Sequence, residues 1–498
     1  MALCIKRTGK RLVFRAGSYY VKAFRTGGKL TSRLRDPARK EFDIALRLYE
    51  RGKLTARPAG YASCGQWSYF VQAAAPGINM RQFIEQHWSG LSLSTKTETC
   101  RNFAFFLTQL SLAGLYQPDF HLDNILFHLQ SHKFTIIDLH RASVTQKGIP
   151  LDAAKRLKQL SFVLPPFIET VPLNDIMRCT SFLSKTYKEL RYRDTRHIIV
   201  KQAFSSMRHH WNRRGLRKVS GTWKKEKHGL LSTISSYSCP PEATKLLASF
   251  MHNPEAFIAS CRIVKDSKHT LCLDIIDGHG RYFIKAYRSS GHLKSASYLL
   301  RPRKALRIWR LSWLLKLRHL PVMMPVAVIQ HWNPWNRFYG ALIYEWDNDA
   351  AVQSWKDVIC NCLGHQQASG TLIRRLAMEI WNVHQRGVFH GDCKITNFIT
   401  DPRGRITRFF DIDSTCLMKR VTDRQRMKDI VCMAVSLSKS LTERHIADNV
   451  TEVLLSEYIR IHVPWGKRKE FVEDKLNRMF KRKFIQSCNR NPHLTGPK

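Results

Sequence analysis

Two stretches of this chain carry the same polar residues in the same apolar frame at a fixed separation. Gly114-Leu-Tyr-Gln-Pro-Asp119-Phe-His-Leu-Asp-Asn124-Ile-Leu-Phe is matched by Gly387-Val-Phe-His-Gly-Asp392-Cys-Lys-Ile-Thr-Asn397-Phe-Ile-Thr. Phe134-Thr-Ile-Ile-Asp138 is then matched by Arg408-Phe-Phe-Asp411. Asp119 to Asp392, Asn124 to Asn397 and Asp138 to Asp411 are each 273 residues apart. Upstream, residues 19–25 read Tyr-Tyr-Val-Lys-Ala-Phe-Arg and residues 282–288 read Tyr-Phe-Ile-Lys-Ala-Tyr-Arg. Lys22 and Lys285 are 263 apart, a drift of about ten residues that surface loops absorb. A repeat of this kind constrains the fold more than any composition: one architecture is present twice.

Local patterning places these residues. The aromatic and β-branched runs around Lys22 and Lys285 suit strands that each carry one lysine. Phe103, Phe106, Leu107 and Leu110 recur at helical spacing, as do Ile373, Leu376, Ala377 and Ile380. Gly114 and Gly387 follow where a left-handed residue would close each helix. Asp119 and Asp392 therefore belong on loops just past a buried helix, and Asp138 and Asp411 at the ends of short strands. The chain is 498 residues long, enough for two or three domains. A polar, basic, proline-bearing stretch suggests the division: domain one over 1–215, a basic junction over 216–244 and domain two over 245–498.

An Asp, an Asn five positions later and an Asp at the end of a strand form a metal–phosphate constellation. Phosphoryl transfer needs a carboxylate to orient the attacking hydroxyl, an amide and a second carboxylate to hold magnesium, and a lysine on the α- and β-phosphates. Asp119, Asn124, Asp138 and Lys22 supply those groups once; Asp392, Asn397, Asp411 and Lys285 supply them again. Each element has a plainer reading alone. A strand lysine is ordinarily a solvated edge residue, and Asp-x4-Asn is a common turn device. The shared register favours chemistry.

His390-Gly-Asp392-x-x-x-x-Asn397 followed by Phe-Asp411-Ile-Asp413 resembles the catalytic loop and metal motif of the protein-kinase-like superfamily. Ile137-Asp138-Leu-His-Arg-Ala142 resembles more narrowly the lipopolysaccharide core heptose and Kdo kinases of Gram-negative bacteria. The resemblance covers most of both halves. It implies an α+β fold: two tandem bilobal kinase-like domains, each with a small β-rich N-lobe and a larger helical C-lobe. It further implies ATP and Mg2+ as cofactors, Asp119 and Asp392 as catalytic bases, and Lys22 and Lys285 as phosphate-gripping lysines. Asn124 with Asp138, and Asn397 with Asp411, become the magnesium ligands.

Both halves depart from the family pattern. Gln117 stands where a His is usual, and Gln159 where a helix usually carries a structural Asp; Asp429 fits that place in domain two. Glu41, on an amphipathic helix with Phe42, Ala45, Leu46 and Tyr49, is a candidate partner for Lys22. Between Lys285 and Pro321 no acidic residue exists, so Lys285 lacks the usual helix glutamate. This tilts the expected activity toward domain one. Gly-x-Gly-x-x-Gly is missing from both halves, and Gly278-His-Gly280 reads as a hairpin turn. His121, His140 and His390 read as structural hydrogen-bonders. The Trp309–Trp313 region reads as the small-lobe helix with a basic outer face, in preference to a membrane-lying one.

Charge points to partners. There are 82 Lys and Arg against 38 Asp and Glu, a net +44. Such an excess suits an anionic acceptor in an anionic leaflet: a lipopolysaccharide core sugar, met peripherally at the cytoplasmic face of the inner membrane. No nucleic acid is expected, because no recognition motif accompanies the charge. Thirteen cysteines, an odd number without a Cys-x-x-Cys pair, suit reduced thiols in the cytosol and not a zinc site. The N-terminus has no signal-peptide run, and no window is long enough to span a bilayer. Two rival readings stay open: one or both halves as pseudokinase docking or regulatory modules, and a small-molecule kinase of the aminoglycoside type. Aminoglycosides are polycations, which this charge does not favour.

Overall fold

Trp67–Ala73 alternates half-buried and buried along its whole length, the mark of a strand with one face on a core. It pairs antiparallel with Tyr19–Arg25, where Lys22, Ala23 and Phe24 are buried. The computed structural model describes residues 3–8, 11–26, 36–145, 149–171, 173–187, 193–215, 220–278, 280–288, 304–331, 337–346, 353–354, 366–400, 406–441, 444–462 and 467–489. The chain is α+β, with antiparallel sheets and separate helical layers. It divides into two compact units, Met1–Met207 and Arg208–Lys498.

Unit one opens with five antiparallel strands, β1 (Leu3–Thr8), β2 (Arg11–Ala16), β3 (Tyr19–Arg25), β4 (Pro58–Cys64) and β5 (Trp67–Ala73), in the order β1-β2-β3-β5-β4. Helix α1 (Pro37–Glu50) lies between β3 and β4 in sequence and packs on β3, β4 and β5. Asp36 caps it by accepting from the Ala38 and Arg39 amides, and Pro37 starts it with its preset φ. Its inner stripe is Ala38, Glu41, Ile44, Ala45 and Leu48. Leu46, expected on the apolar face, is exposed, because the stripe is turned to bring Glu41 inward.

The rest of unit one is mainly helical: β6 (Ile78–Asn79), α2 (Met80–His87), α3 (Leu93–Leu112), α4 (Ala153–Thr170), α5 (Leu173–Thr186) and α6 (Arg193–Arg214), whose end crosses into unit two. Between α3 and α4 run β7 (Leu115–Tyr116), β8 (Ile125–His128), β9 (Lys133–Ile136) and β10 (Ser143–Val144). They form the sheets β6-β8-β9 and β7-β10. Phe103 of α3 stacks on Phe167 of α4 with centroids 5.5 Å apart, fixing the floor beneath these strands.

Unit two spans Arg208–Lys498. Of the residues expected as a junction, 216–219 lie outside the described residues, and β11 (Trp223–His228) and β12 (Leu231–Ser236) form within the rest. After α7 (Pro241–His252) and α8 (Pro254–Ala259) come β13 (Arg262–Asp266), β14 (Thr270–Asp277), β15 (Gly280–Arg288), α9 (Lys304–Leu317), β16 (Pro325–His331) and β17 (Phe338–Glu345). The seven-stranded sheet runs β11-β12-β16-β17-β15-β14-β13. Read from its far edge, β13-β14-β15-β17-β16 repeats the order of unit one, and the β11–β12 hairpin extends it. Three lysines on β11 read as linker because an edge strand is solvated and charged. Trp223 nonetheless packs against Trp309 and Trp313 of α9 at 5.8 and 6.0 Å, so these tryptophans face the protein. Arg208 also belongs here, donating to the carbonyls of Gln385 and Lys419. The division between the two compact units lies at 207/208, within α6.

Tyr282, Ile284 and Ala286 pack with α7 on one face of this sheet. Alternation puts Lys285 on the other face, toward α9. There Gly340 lets α9 approach: an added Cβ would lie 3.0 Å from the Ala305 side chain. β14 and β15 pair down to Asp277 and Gly280, the expected hairpin, with His279 outside the described residues. The helical part contains β18 (Gln353–Ser354), α10 (Gln366–Gln385), β19 (Val388–Phe389), β20 (Phe398–Thr400), β21 (Ile406–Phe409), β22 (Cys416–Leu417), α11 (Asp423–Ser440), α12 (Arg444–His462) and α13 (Lys467–Asn489). Among the described residues no helix is long and apolar enough to cross a membrane.

Candidate functional site

Lys22 on β3 points into unit one and is only 4% exposed. A buried ammonium needs a counter-charge, and the fully buried Glu41 of α1 accepts its hydrogen bond. The Phe70 ring covers it at 5.5 Å. The same Glu41 Oε1 accepts from the Leu139 amide at 3.1 Å, tying α1 to the residue after Asp138. Its other oxygen, Oε2, is buried without a partner among the described residues.

Asp138 leaves β9 in the left-handed region, φ 64, which Asp tolerates better than most residues. Arg11 Nη1 from β2 lies 2.8 and 3.1 Å from its two oxygens, and His140 Nδ1 lies 2.7 Å from Oδ1. Burial alone would raise this carboxyl's pKa. The His140 hydrogen bond and the charges of Lys22 and Arg11 outweigh it and hold the group well below the usual carboxylate range. Asn124 donates to the Asp119 carbonyl at 3.1 Å and lies 3.2 Å from His121. The Asp119 side chain is 40% exposed, with Arg141 and His121 each 3.9 Å away.

The two glutamines of unit one hold the loop before Asp119. Gln159 Oε1 on α4 accepts from the Gln117 amide at 2.9 Å. Gln117 in turn donates to the Asp138 carbonyl at 2.7 Å, so the loop before Asp119 is pinned to the turn at Asp138. In unit two Asp429 on α11 accepts from the His390 and Gly391 amides at 2.8 and 2.9 Å, and its Oδ2 lies 3.1 Å from His384 Nε2. His390 corrects its sequence reading: neither ring nitrogen has a hydrogen-bond partner among the described residues. Its backbone holds the loop, and its ring packs near Phe398 and Phe409 at 5.4 and 6.5 Å.

Unit two brings Lys285 directly to Asp411, at 2.8 Å. Asp411 also has a left-handed backbone, φ 44. Asn397 donates to the Asp392 carbonyl at 2.9 Å, and Lys394 bonds the Asp392 carboxylate at 2.9 Å. Asp413, named from sequence only as the end of the Phe-Asp411-Ile-Asp413 motif and given no role of its own, is central. Lys285 reaches its Oδ1 at 2.8 Å, the Tyr287 hydroxyl donates to the same oxygen at 3.0 Å, and Lys304 of α9 reaches Oδ2 at 2.7 Å. Its signal was the acid two positions past Asp411.

The repeat extends through the hydrogen bonds. Ile137 donates to the Asn124 carbonyl and Phe410 to that of Asn397, both at 2.8 Å. Thr145 bonds Gly114 as Met418 bonds Gly387. The strand pairs β7–β10 and β19–β22 coincide residue for residue at the same 273 offset. Both glycines are required. Gly114 and Gly387 have φ 72 and 76, and an added Cβ would come within 2.7 and 2.6 Å of the Ile149 and Met418 carbonyl oxygens.

Each unit thus brings a strand lysine beside an acid and ties the backbone next to one Asp, 138 or 411, to an Asn, 124 or 397. The amide nitrogens of Asn124 and Asn397 are committed to the loop, which leaves their oxygens suited to a cation. Hard oxygens from one Asp and one Asn fit Mg2+, which takes its other ligands from phosphate and water. Among the described residues no group of three His, Cys, Asp or Glu is placed to hold a metal ion. No family model matches the chain, and no curated protein matches it.

Proposed function

We propose that this chain is an ATP- and Mg2+-dependent phosphotransferase built of two tandem bilobal kinase-like domains, with a sugar of the lipopolysaccharide inner core, heptose or Kdo, as acceptor. One observation carries the reaction: the hydrogen-bond frame around Asp119, Asn124 and Asp138 recurs around Asp392, Asn397 and Asp411, each beside a strand lysine held by acid. In this reading Asp119 and Asp392 orient the acceptor hydroxyl and take its proton. Lys22 and Lys285 grip the α- and β-phosphates. Asn124 with Asp138, and Asn397 with Asp411, hold magnesium, which when bound neutralises charge on the transferred phosphoryl group.

The acceptor is supported by the Ile137-Asp138-Leu-His-Arg-Ala142 segment and by the net +44. A substrate bearing phosphates and carboxylates, set in an anionic leaflet, would be drawn to such a surface, so peripheral association with the cytoplasmic face of the inner membrane belongs to the proposal. Treating unit one as a non-catalytic module rested on Gln117 and Gln159. That motive weakens because these side chains bond the loop much as Asp429 does in unit two.

The test is transfer of phosphate from ATP to core oligosaccharide by chains carrying Asp119→Asn or Asp392→Asn. Removing a catalytic base costs on the order of a hundredfold or more, so the variant in a turning-over unit loses that much rate. If neither substitution lowers turnover, the catalytic assignment falls. Mass spectrometry of core oligosaccharide from a deletion strain tests the acceptor separately: one missing phosphate is expected, and an unchanged core removes the substrate while leaving the reaction.

A further inference from the structure

The acid that sequence found missing beside Lys285 is present, but it has changed places. In unit one the lysine's counter-ion comes from the helix, as Glu41, and the position two past the metal-site Asp is His140. In unit two the position two past Asp411 is Asp413, and the helix offers the basic Lys304 and Arg307. Helix α9, Lys-Ala-Leu-Arg-Ile-Trp-Arg-Leu-Ser-Trp-Leu-Leu-Lys-Leu, contains no acid. Asp413 is well anchored. Arg307 donates to its carbonyl, Tyr287 and Lys285 share its Oδ1, Lys304 takes its Oδ2, and its side chain is 16% exposed.

Resting on the phosphotransferase reading, we infer that Asp413 is the positioning counter-ion of Lys285, and that unit two is thereby a working nucleotide-binding unit and not a degenerate copy. Swapping the sign of helix and turn keeps a carboxylate on the lysine. It also adds a second ammonium, Lys304, within reach of the same acid. The strand lysine no longer depends on where the helix stands, because its partner follows directly on the metal-site residue. The polyphosphate of a nucleoside triphosphate is the ligand this cluster suits, since Lys285 and Lys304 together offset more negative charge than one lysine can.

The experiment is calorimetric titration of the full chain with Mg2+ and a non-hydrolysable ATP analogue. Lys22→Met silences unit one, and a single equivalent of binding is expected to remain. Adding Asp413→Asn to that background weakens the remaining site about tenfold or more, the scale of a lost charge-assisted hydrogen bond. Asp413→Glu stays within a few-fold. Adding Lys304→Glu to Lys22→Met/Asp413→Asn returns an acid to the helix, as in unit one, and restores much of the affinity, a recovery that a merely structural role would not give. Unchanged affinity with Asp413→Asn, no rescue by Lys304→Glu, or loss of all binding with Lys22→Met alone overturns the inference. A wild-type chain that binds no nucleotide refutes the phosphotransferase reading and this inference with it. Two wild-type sites, both of them indifferent to Asp413→Asn, would refute only the latter.

Discussion

The Lys22–Glu41 pair offers the sharpest test of how unit one is held together. Glu41 is fully buried and Lys22 nearly so, and one carboxylate oxygen serves both the ammonium and the Leu139 amide. Lys22→Met strands a buried carboxylate, and Glu41→Leu strands a buried ammonium. Each leaves an uncompensated charge, at a cost of about 3–5 kcal/mol. The double variant removes both charges and loses chiefly the Leu139 hydrogen bond, at roughly 1–2 kcal/mol. The cycle should therefore miss additivity by several kcal/mol, far beyond the roughly 0.3–0.5 kcal/mol of independent sites. A chain of two compact units has no single well-defined unfolding transition, so the measurement is native-state hydrogen exchange read on peptides from β3 and α1. Single variants that cost under about 1 kcal/mol and add would refute the buried-pair argument.

Other outcomes follow from the same contacts. Asp429→Ala orphans the His390 and Gly391 amides and His384 Nε2, and should destabilise unit two by about 3–6 kcal/mol. Gln159→Ala orphans the Gln117 amide alone, at about 1–3 kcal/mol. Exchange protection of the two loops gives the ranking, and a reversed order would refute it. His384 and His390 are buried, and burial depresses both below their ordinary 6.5, with Asp429 opposing in each case. The unfolded chain then takes up protons first, so this stability is intact above 6.5 and drains as pH falls from there toward the depressed folded values. His390→Asn should flatten the fall in unit-two protection between about pH 6.5 and 5, and an unaltered slope removes His390 from the account. Binding to vesicles rich in anionic lipid should collapse as salt is raised toward about 0.5 M, where the Debye length is a few ångströms. Salt-insensitive partitioning would remove the electrostatic case for the membrane.

The parts legible in the sequence were those with a local pattern. Strand lysines, helix-closing glycines and the Asp–Asn–Asp spacing each have their own short signature, and the structure places them on the expected strands, helix ends and loops. What escaped depended on partners far along the chain. Lys224, Lys225 and Lys227 belong to an edge strand whose only apolar commitment is Trp223, so composition reads it as linker. Gln159 looks like a loss until its oxygen is seen on the Gln117 amide, a job that requires an acceptor but no charge. Asp413 escaped because the acid was sought on the helix. Arg11 on Asp138 had no signal, since one arginine on a first hairpin is unremarkable in so basic a chain.

The constant offset between Gly114–Thr145 and Gly387–Met418 bears on which changes such a chain can accept. Side chains within it differ freely between the copies: Gln117 corresponds in sequence to His390, and His140 to Asp413. Its length has not changed by a single residue, whereas the route from the strand lysine to the helix glycine has drifted by about ten. The reason lies in the closures at both ends, Thr145 on Gly114 and Met418 on Gly387, with Asn124 and Asn397 bonded inside them. An inserted residue would slide every later donor off its acceptor at once. The segment behaves as a cassette, open to substitution and closed to insertion, so engineering of either site would do best to transplant it whole.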